Sequence, residues 1–165
     1  MQTLAVTFYD VVVWLHVSSV VVAFGPTFAF GIYLALAARK YPRAMPAVLE
    51  STITISRSMV TIGGVLILLT GVYLAADRWD FSEFFIGWGI LAILVLLGLA
   101  HGFFIPHDSR ALRAAKRDID AAGPSGEVQF GEDFQRETGL SARMGPVAGL
   151  IVIVTIYVMV AKPFL

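Results

Sequence analysis

The sequence contains no cysteine, and that absence excludes disulfide bonds, thiolate metal sites and cysteine nucleophiles. Charge is also scarce, because 15% of the 165 residues are charged, whereas soluble domains carry about 25%. The formal net charge is zero, so the overall charge does not indicate a nucleic-acid partner. The sequence has no HExxH motif, nucleophile motif, phosphate-binding loop or pair of intramembrane carboxylates. These absences favour a protein that is not an enzyme.

Apolar residues make up 58% of the chain and are gathered into four long runs. About 20 apolar residues are enough to cross the ~30 Å hydrocarbon core of a bilayer. We therefore predict an all-α membrane protein in which residues 1–165 form a single transmembrane domain, with four transmembrane helices in an up-down bundle. The predicted spans are residues 8–38, 58–76, 84–105 and 144–161. The first run is too long for a cleavable signal peptide and has no basic residue before it.

The basic residues are distributed unevenly between the connections. Four lie between spans one and two, six lie between spans three and four, and the opposite side has Arg78 and Lys162 alone. Cytoplasmic loops of membrane proteins are enriched in lysine and arginine. We therefore predict that residues 39–57 and 106–143 are cytoplasmic and that both termini are outside.

The long connection, residues 106–143, contains a second helical pattern. Asp108 or Ser109 could cap a helix that runs to about Ala122 and ends at the GPSG sequence. Its basic residues could bind anionic lipid, or they could reflect the ordinary cytoplasmic bias on a solvated helix. The acidic stretch that follows has too few apolar residues to form a core of its own.

Small residues recur at regular spacing in the predicted spans, and such residues let membrane helices approach closely. We predict that these faces point into the bundle and that Gly98→Leu or Gly102→Leu destabilises it more than Leu96→Ala. Gly25-Pro26 is expected to bend the first span. The small residues are Ser19, Ala23, Thr27, Gly31 and Ala35 in span one, Thr61, Gly64, Gly71 and Ala75 in span two, Gly98 and Gly102 in span three, and Gly145 and Gly149 in span four.

Two histidines, His16 and His101, lie inside predicted spans, where an ionisable side chain is a candidate functional residue by default. Both are predicted to face the bundle interior. One interpretation is structural, with each ring neutral and hydrogen-bonded to a hydroxyl on a facing helix. The candidate partners are Thr70, Tyr73, Thr155 and Tyr157 for His16, and Ser58 and Thr61 for His101.

The other interpretation is that His16 and His101 bind a cofactor, since histidines between membrane helices can supply the axial ligands of haem. A helix rises ~1.5 Å per residue, which places His16 roughly 12 Å and His101 roughly 24 Å from the outer face. One haem shared by both is therefore not expected. A His16 site with another ligand, two separate sites, and a proton relay from Asp10 to His16 stay open as alternatives.

The sequence also resembles known membrane families. The segments FYDVVVWLHVSSVVVAFGPTFAFG (residues 8–31) and IYVMVAKPFL (residues 156–165) are similar to a family of predicted bacterial integral membrane proteins, domain of unknown function 2269. More loosely, LHV followed by an aromatic residue and glycine resembles the first helix of four-helix membrane protoporphyrinogen oxidases and of copper resistance D-type proteins. In the oxidases the histidine at the position of His16 is associated with haem, so this resemblance implies haem b as a candidate cofactor.

These observations favour a small non-enzymatic integral membrane protein that is an accessory or structural component of a larger assembly. Its expected surroundings are the lipid bilayer of the bacterial inner membrane and other membrane subunits or further copies of this chain. The alternative is a haem-binding redox or porphyrin-handling protein that uses His16. A small transporter ranks below both, because the spans lack a continuous polar path.

Overall fold

The computed structural model of the chain describes residues 6–163, and it is built from helices joined by short turns. Four stretches of helix are long and apolar enough to cross a membrane, which confirms the predicted all-α class with four transmembrane helices. The last two residues of the segment 156–165 lie outside the described part. The helices are α1 (Phe8–Phe24), α2 (Phe30–Lys40), α3 (Met45–Ile55), α4 (Thr61–Arg78), α5 (Phe84–Leu99), α6 (Ile105–Ala122) and α7 (Glu132–Ala161).

Three irregular turns interrupt the long helical stretches, and the helical path continues through each of them. A 3₁₀ turn at Gly25–Ala29 separates α1 from α2, because Pro26 has no N–H to continue the α-helical pattern. Two π turns, Ser56–Val60 and Ala100–Phe104, join α3 to α4 and α5 to α6. The packing partner of the first span changes at the 3₁₀ turn, since α1 packs on α4 whereas α2 packs mainly on α3.

The middle of the bundle is formed by α1, α4, α5 and α7, which enclose one apolar core. We call the side where the start of α1 and the end of α7 lie beside the α4–α5 hairpin the terminal end. There the guanidinium of Arg78 lies 3.7 Å from the ring centroid of Tyr9, and the ammonium of Lys162 lies 3.9 Å from that of Trp79. Both basic residues of this end are thus held on aromatic rings. The buried core residues are Ala23, Phe24, Val60, Ile67, Ile93, Leu96, Ala100 and Val152.

The opposite side, which we call the basic end, has a second apolar core that the sequence did not predict. Here α3, α6 and the first half of α7 pack together, so the helices extend well beyond the predicted spans. Phe130 and Phe134 stack with ring centroids 4.1 Å apart, and Phe134 is buried in this core. The acidic stretch therefore shares a core with its neighbours. The buried residues are Ala37, Met45, Leu49, Ala111, Ala114, Ala115 and Phe134.

The predicted cap at Asp108 or Ser109 is wrong, because the helix does not begin there. After α5 and its π turn the chain continues directly into α6, and Pro106 is the second residue after the π turn. The predicted end at Ala122 is confirmed. Gly123 follows with a φ of +68°, a conformation that glycine adopts without steric cost.

The predicted packing role of Gly98 and Gly102 is also wrong. Both glycines are exposed, and a Cβ added to either would meet no atom of the described residues within 4 Å, apart from its chain neighbours and its own helix backbone. Leu96 instead lies in the central core with 7% of its surface exposed. Close approach is made by α4, where a Cβ on Gly63 would lie 2.5 Å from the Cβ of Ala23 on α1. Glycine also permits close side-chain contacts elsewhere, of Gly64 with Leu97 and of Gly89 with Met159, but at Gly63 it brings the backbones of α1 and α4 together.

Candidate functional site

The half-buried imidazole of His16 projects from α1 towards α4. Its Nδ1 lies 2.8 Å from Oγ1 of Thr70, so the predicted hydroxyl partner is confirmed. The single hydroxyl hydrogen of Thr70 is directed to the backbone oxygen of Leu66. We therefore assign to His16 the tautomer in which Nδ1–H donates to Thr70 and Nε2 carries the lone pair.

Gly71 makes room for this ring. A Cβ on Gly71 would lie 3.1 Å from Cε1 of His16, which is closer than a side-chain contact normally allows. The other three candidate partners of His16 lie elsewhere. The ring of Tyr73 packs edge-on against Phe8, the hydroxyl of Thr155 accepts a hydrogen bond from Trp88, and Tyr157 is 65% exposed. Thr70 and Gly71 together thus hold the imidazole of His16 against α4.

His101 lies in the π turn between α5 and α6, and it is also hydrogen-bonded to α4. Its Nε2 lies 2.9 Å from Oγ1 of Thr61, which confirms that predicted partner. The residue is exposed, however, so the prediction that it faces the interior is wrong. Leu96 and Ala100 lie on the buried face of α5 and its π turn. His101 is the next residue along the chain, so it lies at the edge of that buried face.

The two histidines do not converge on one site. Their partners Thr70 and Thr61 are nine residues apart on α4, which corresponds to about 13.5 Å along the helix axis. Among residues 6–163, moreover, no group of three or more His, Asp or Glu side chains is placed to hold a metal ion. Each histidine therefore joins a different part of the bundle to α4.

A third group of polar residues, which the sequence did not predict, lies at the basic end. The Nδ1 atom of His107 lies 2.5 Å from Oε2 of Glu137, and Ser141 donates a hydrogen bond of 2.8 Å to Oδ1 of Asp108. Glu137 and Asp108 are buried, with Arg110 3.6 Å from the Glu137 carboxylate. Glu137 and Ser141 are four residues apart and share a face of α7. That spacing is present in the sequence, but it does not predict a buried polar site unless this stretch has a core to pack against.

A large cleft lies between α2 and α7, in the half of the bundle nearer the basic end. Its volume is about 840 Å³, and its wall is mostly apolar, with Phe24, Leu96 and Val152 at its inner side. Polar groups occur mainly where the wall consists of residues 106–143. They are Asp108, Gln135, Thr138 and Ser141, with Thr27 and Ser56 elsewhere on the wall.

A comparison with known proteins places the chain in a family. The family described as Predicted integral membrane protein (DUF2269) matches residues 10–163. No curated protein and no solved structure matches the chain. The match extends from the start of α1 past the end of α7 and includes all four apolar helices. The chain therefore belongs to the DUF2269 family of predicted integral membrane proteins.

Proposed function

We propose that the chain is a non-enzymatic integral membrane protein that serves as an accessory subunit of a larger membrane assembly. The observation that carries this proposal is the exposed glycine face of α5, formed by Gly98 near the end of α5 and by Gly102 in the π turn that follows. Gly98 and Gly102 are one helical turn apart, both are exposed, and neither has an atom within 4 Å of where a Cβ would stand. A Gly-x-x-x-Gly face in a membrane helix lets a second helix approach closely. A transmembrane helix of another subunit, or of another copy, is the occupant that fits it.

The histidines support a structural role for the rest of the bundle. In hydrocarbon an unsatisfied polar group costs several kcal/mol, so a hydrogen-bonded pair fixes the register of the helices that carry it. His16 joins α1 to α4 through Thr70, and His101 joins the turn after α5 to α4 through Thr61. The function of both residues in this proposal is to hold three helices in one arrangement.

The orientation follows from the same distribution of charge that the sequence shows. The basic end carries ten of the twelve Lys and Arg residues of the chain, which supports a cytoplasmic location for it and an external location for both termini. The bacterial inner membrane is the proposed compartment.

A photo-crosslinking experiment in native membranes tests the accessory role. Leu94 lies one turn before Gly98 on the same face of α5 and is 53% exposed, whereas Leu69 on α4 is 62% exposed and serves as the control position. A photoreactive amino acid at Leu94 is expected to capture discrete protein species, and Gly98→Leu is expected to abolish them. If Leu94 and Leu69 both capture lipid alone, the accessory role is wrong.

Haem binding at His16 is the second candidate, and one observation favours it. Because Nδ1 of His16 is engaged by Thr70, the free lone pair is on Nε2, as in a histidine prepared for a metal. The surroundings of the ring do not fit a haem. The ring is packed against Gly71, and the residues that line the 840 Å³ cleft include no histidine. The likeness to the protoporphyrinogen oxidases and copper resistance D-type proteins rests on the LHV motif at His16 and the aromatic residue and glycine that follow it.

An absorbance spectrum separates the two candidates. Protein purified from cells supplied with excess haem precursor is expected to show no Soret band. A Soret band that His16→Ala removes, and that His101→Ala leaves in place, would replace the structural role of His16 with haem binding.

A further inference from the structure

We propose that the cleft between α2 and α7 binds a single-chain amphipathic molecule from the bilayer whose head group is an uncharged or cationic hydrogen-bond donor, such as an alcohol or an amine. The proposal concerns a different face from the glycine face of α5 and does not depend on the accessory role.

The cleft exists because small residues on its two walls are not used for helix packing. A Cβ added at Gly31 on α2, or at Gly139 or Gly145 on α7, would meet no atom within 4 Å. Small residues normally draw membrane helices together, but here α2 packs on α3 and stands away from α7. The result is a space of about 840 Å³, which lies in the range of about 300–1,000 Å³ that is usual for ligand pockets.

The cleft is open along the perimeter of the bundle, where a ligand can enter from the lipid. Phe28, Leu150 and Ile153 line it and are each more than half exposed. Phe28, in the 3₁₀ turn before α2, also reaches α7, because its Cε1 would lie 3.2 Å from a Cβ on Gly149. An apolar chain that enters at this side therefore lies among aromatic and aliphatic side chains for most of its length.

The polar groups at the basic end determine which head group fits. Asp108 lines the cleft and is 7% exposed, and a buried carboxylate costs free energy unless donors reach it. Within residues 6–163, Ser141 donates to Oδ1, so Oδ2 is the oxygen available to a donor that enters the cleft. A hydroxyl or ammonium group supplies such a donor, whereas a carboxylate or phosphate would place a like charge beside Asp108.

Photo-labelling in phosphatidylcholine vesicles tests the proposal with three probes that share one chain. These are diazirine derivatives of hexadecanol, hexadecylamine and palmitic acid. We expect the alcohol and the amine to label residues that line the cleft about tenfold more than the acid, which corresponds to one hydrogen bond to a charged group. Equal labelling by all three probes would mean that ordinary annular lipid fills the cleft, and it would overturn the proposal.

Cleft-filling variants localise the labelling. Gly145→Leu is expected to remove the labelling, and Gly31→Leu, which fills the cleft from the opposite wall, is expected to do the same. Gly87→Leu is the matched control, because this glycine on α5 is exposed, also has open space around it and does not line the cleft. Asp108→Asn is expected to remove the preference for the amine over the acid while the alcohol still binds. Unchanged labelling in both cleft variants, with native helix content, would contradict the proposal.

Discussion

The contact between α1 and α4 gives a prediction whose size can be worked from distances. In Gly63→Ala the new Cβ would stand 2.5 Å from the Cβ of Ala23 and 3.4 Å from the backbone oxygen of Ser19. Carbon atoms in contact are ordinarily about 3.5–4.0 Å apart, so α1 and α4 must separate by about 1 Å. Overpacking of this kind costs about 1–3 kcal/mol of the free energy of unfolding.

Gly98→Ala is the control, because it makes the same chemical change in the middle of a membrane helix where a Cβ meets no atom within 4 Å. Both variants gain the same helix propensity, about 1 kcal/mol at most, so their difference isolates the contact between α1 and α4. Unfolding in mixed dodecyl maltoside and sodium dodecyl sulfate micelles, followed by circular dichroism, measures that difference. We expect Gly63→Ala to be less stable than Gly98→Ala by about 1–3 kcal/mol. If Gly63→Ala is as stable as Gly98→Ala, these two helices do not meet as described.

Three further predictions use other parts of the chain. Leu96→Ala should cost about 2–5 kcal/mol of the free energy of unfolding, because Leu96 is buried in the central core, whereas Leu94→Ala on the exposed side should cost little. His107→Phe should leave the buried carboxylate of Glu137 short of a donor and cost about 1–3 kcal/mol, and hydrogen exchange should then increase in the first turns of α7 more than in α1. A cysteine at position 125 should resist an impermeant thiol reagent added outside intact cells, and rapid labelling there would invert the proposed orientation.

The four spans could be predicted from the sequence because apolar runs and span length are properties of the chain itself. The partners of the two histidines could also be predicted, since a hydroxyl at matching depth on a neighbouring helix is the available donor or acceptor. Thr70 and Thr61 are both confirmed. The depth of a residue follows from its distance along the span, and depth limited the candidates to four for His16 and two for His101, of which the fold selects one each.

The direction in which a residue faces could not be predicted in the same way. Helix α5 is apolar on all sides, so its sequence has no periodicity that separates the side at Leu96 from the side at Gly98. In a bilayer both sides can be apolar, because lipid and protein interior have the same polarity. The glycine pattern identified residues that permit close approach, but it did not identify the neighbour.

The basic end was missed for a different reason. Helices α3, α6 and the first half of α7 bury few large side chains each: Met45 and Leu49 lie on α3, Phe134 lies on α7, and α6 contributes alanines. None of these segments forms an apolar core by itself, and the apolar core of the basic end forms when all three pack together. Its polar residues Asp108 and Ser141 are 33 residues apart, so their hydrogen bond depends on the tertiary fold.

A double-mutant cycle on His16 and Thr70 tests most directly the claim that the intramembrane histidine is structural. His16→Leu and Thr70→Val each remove one partner of the hydrogen bond between α1 and α4, and the double variant removes both. We predict that the double variant loses less free energy of unfolding than the sum of the two single variants, by about 0.6 kcal/mol and at most about 1.7 kcal/mol, the range for hydrogen bonds between membrane helices. Strictly additive losses would contradict the account, because they would mean that His16 and Thr70 do not act on each other.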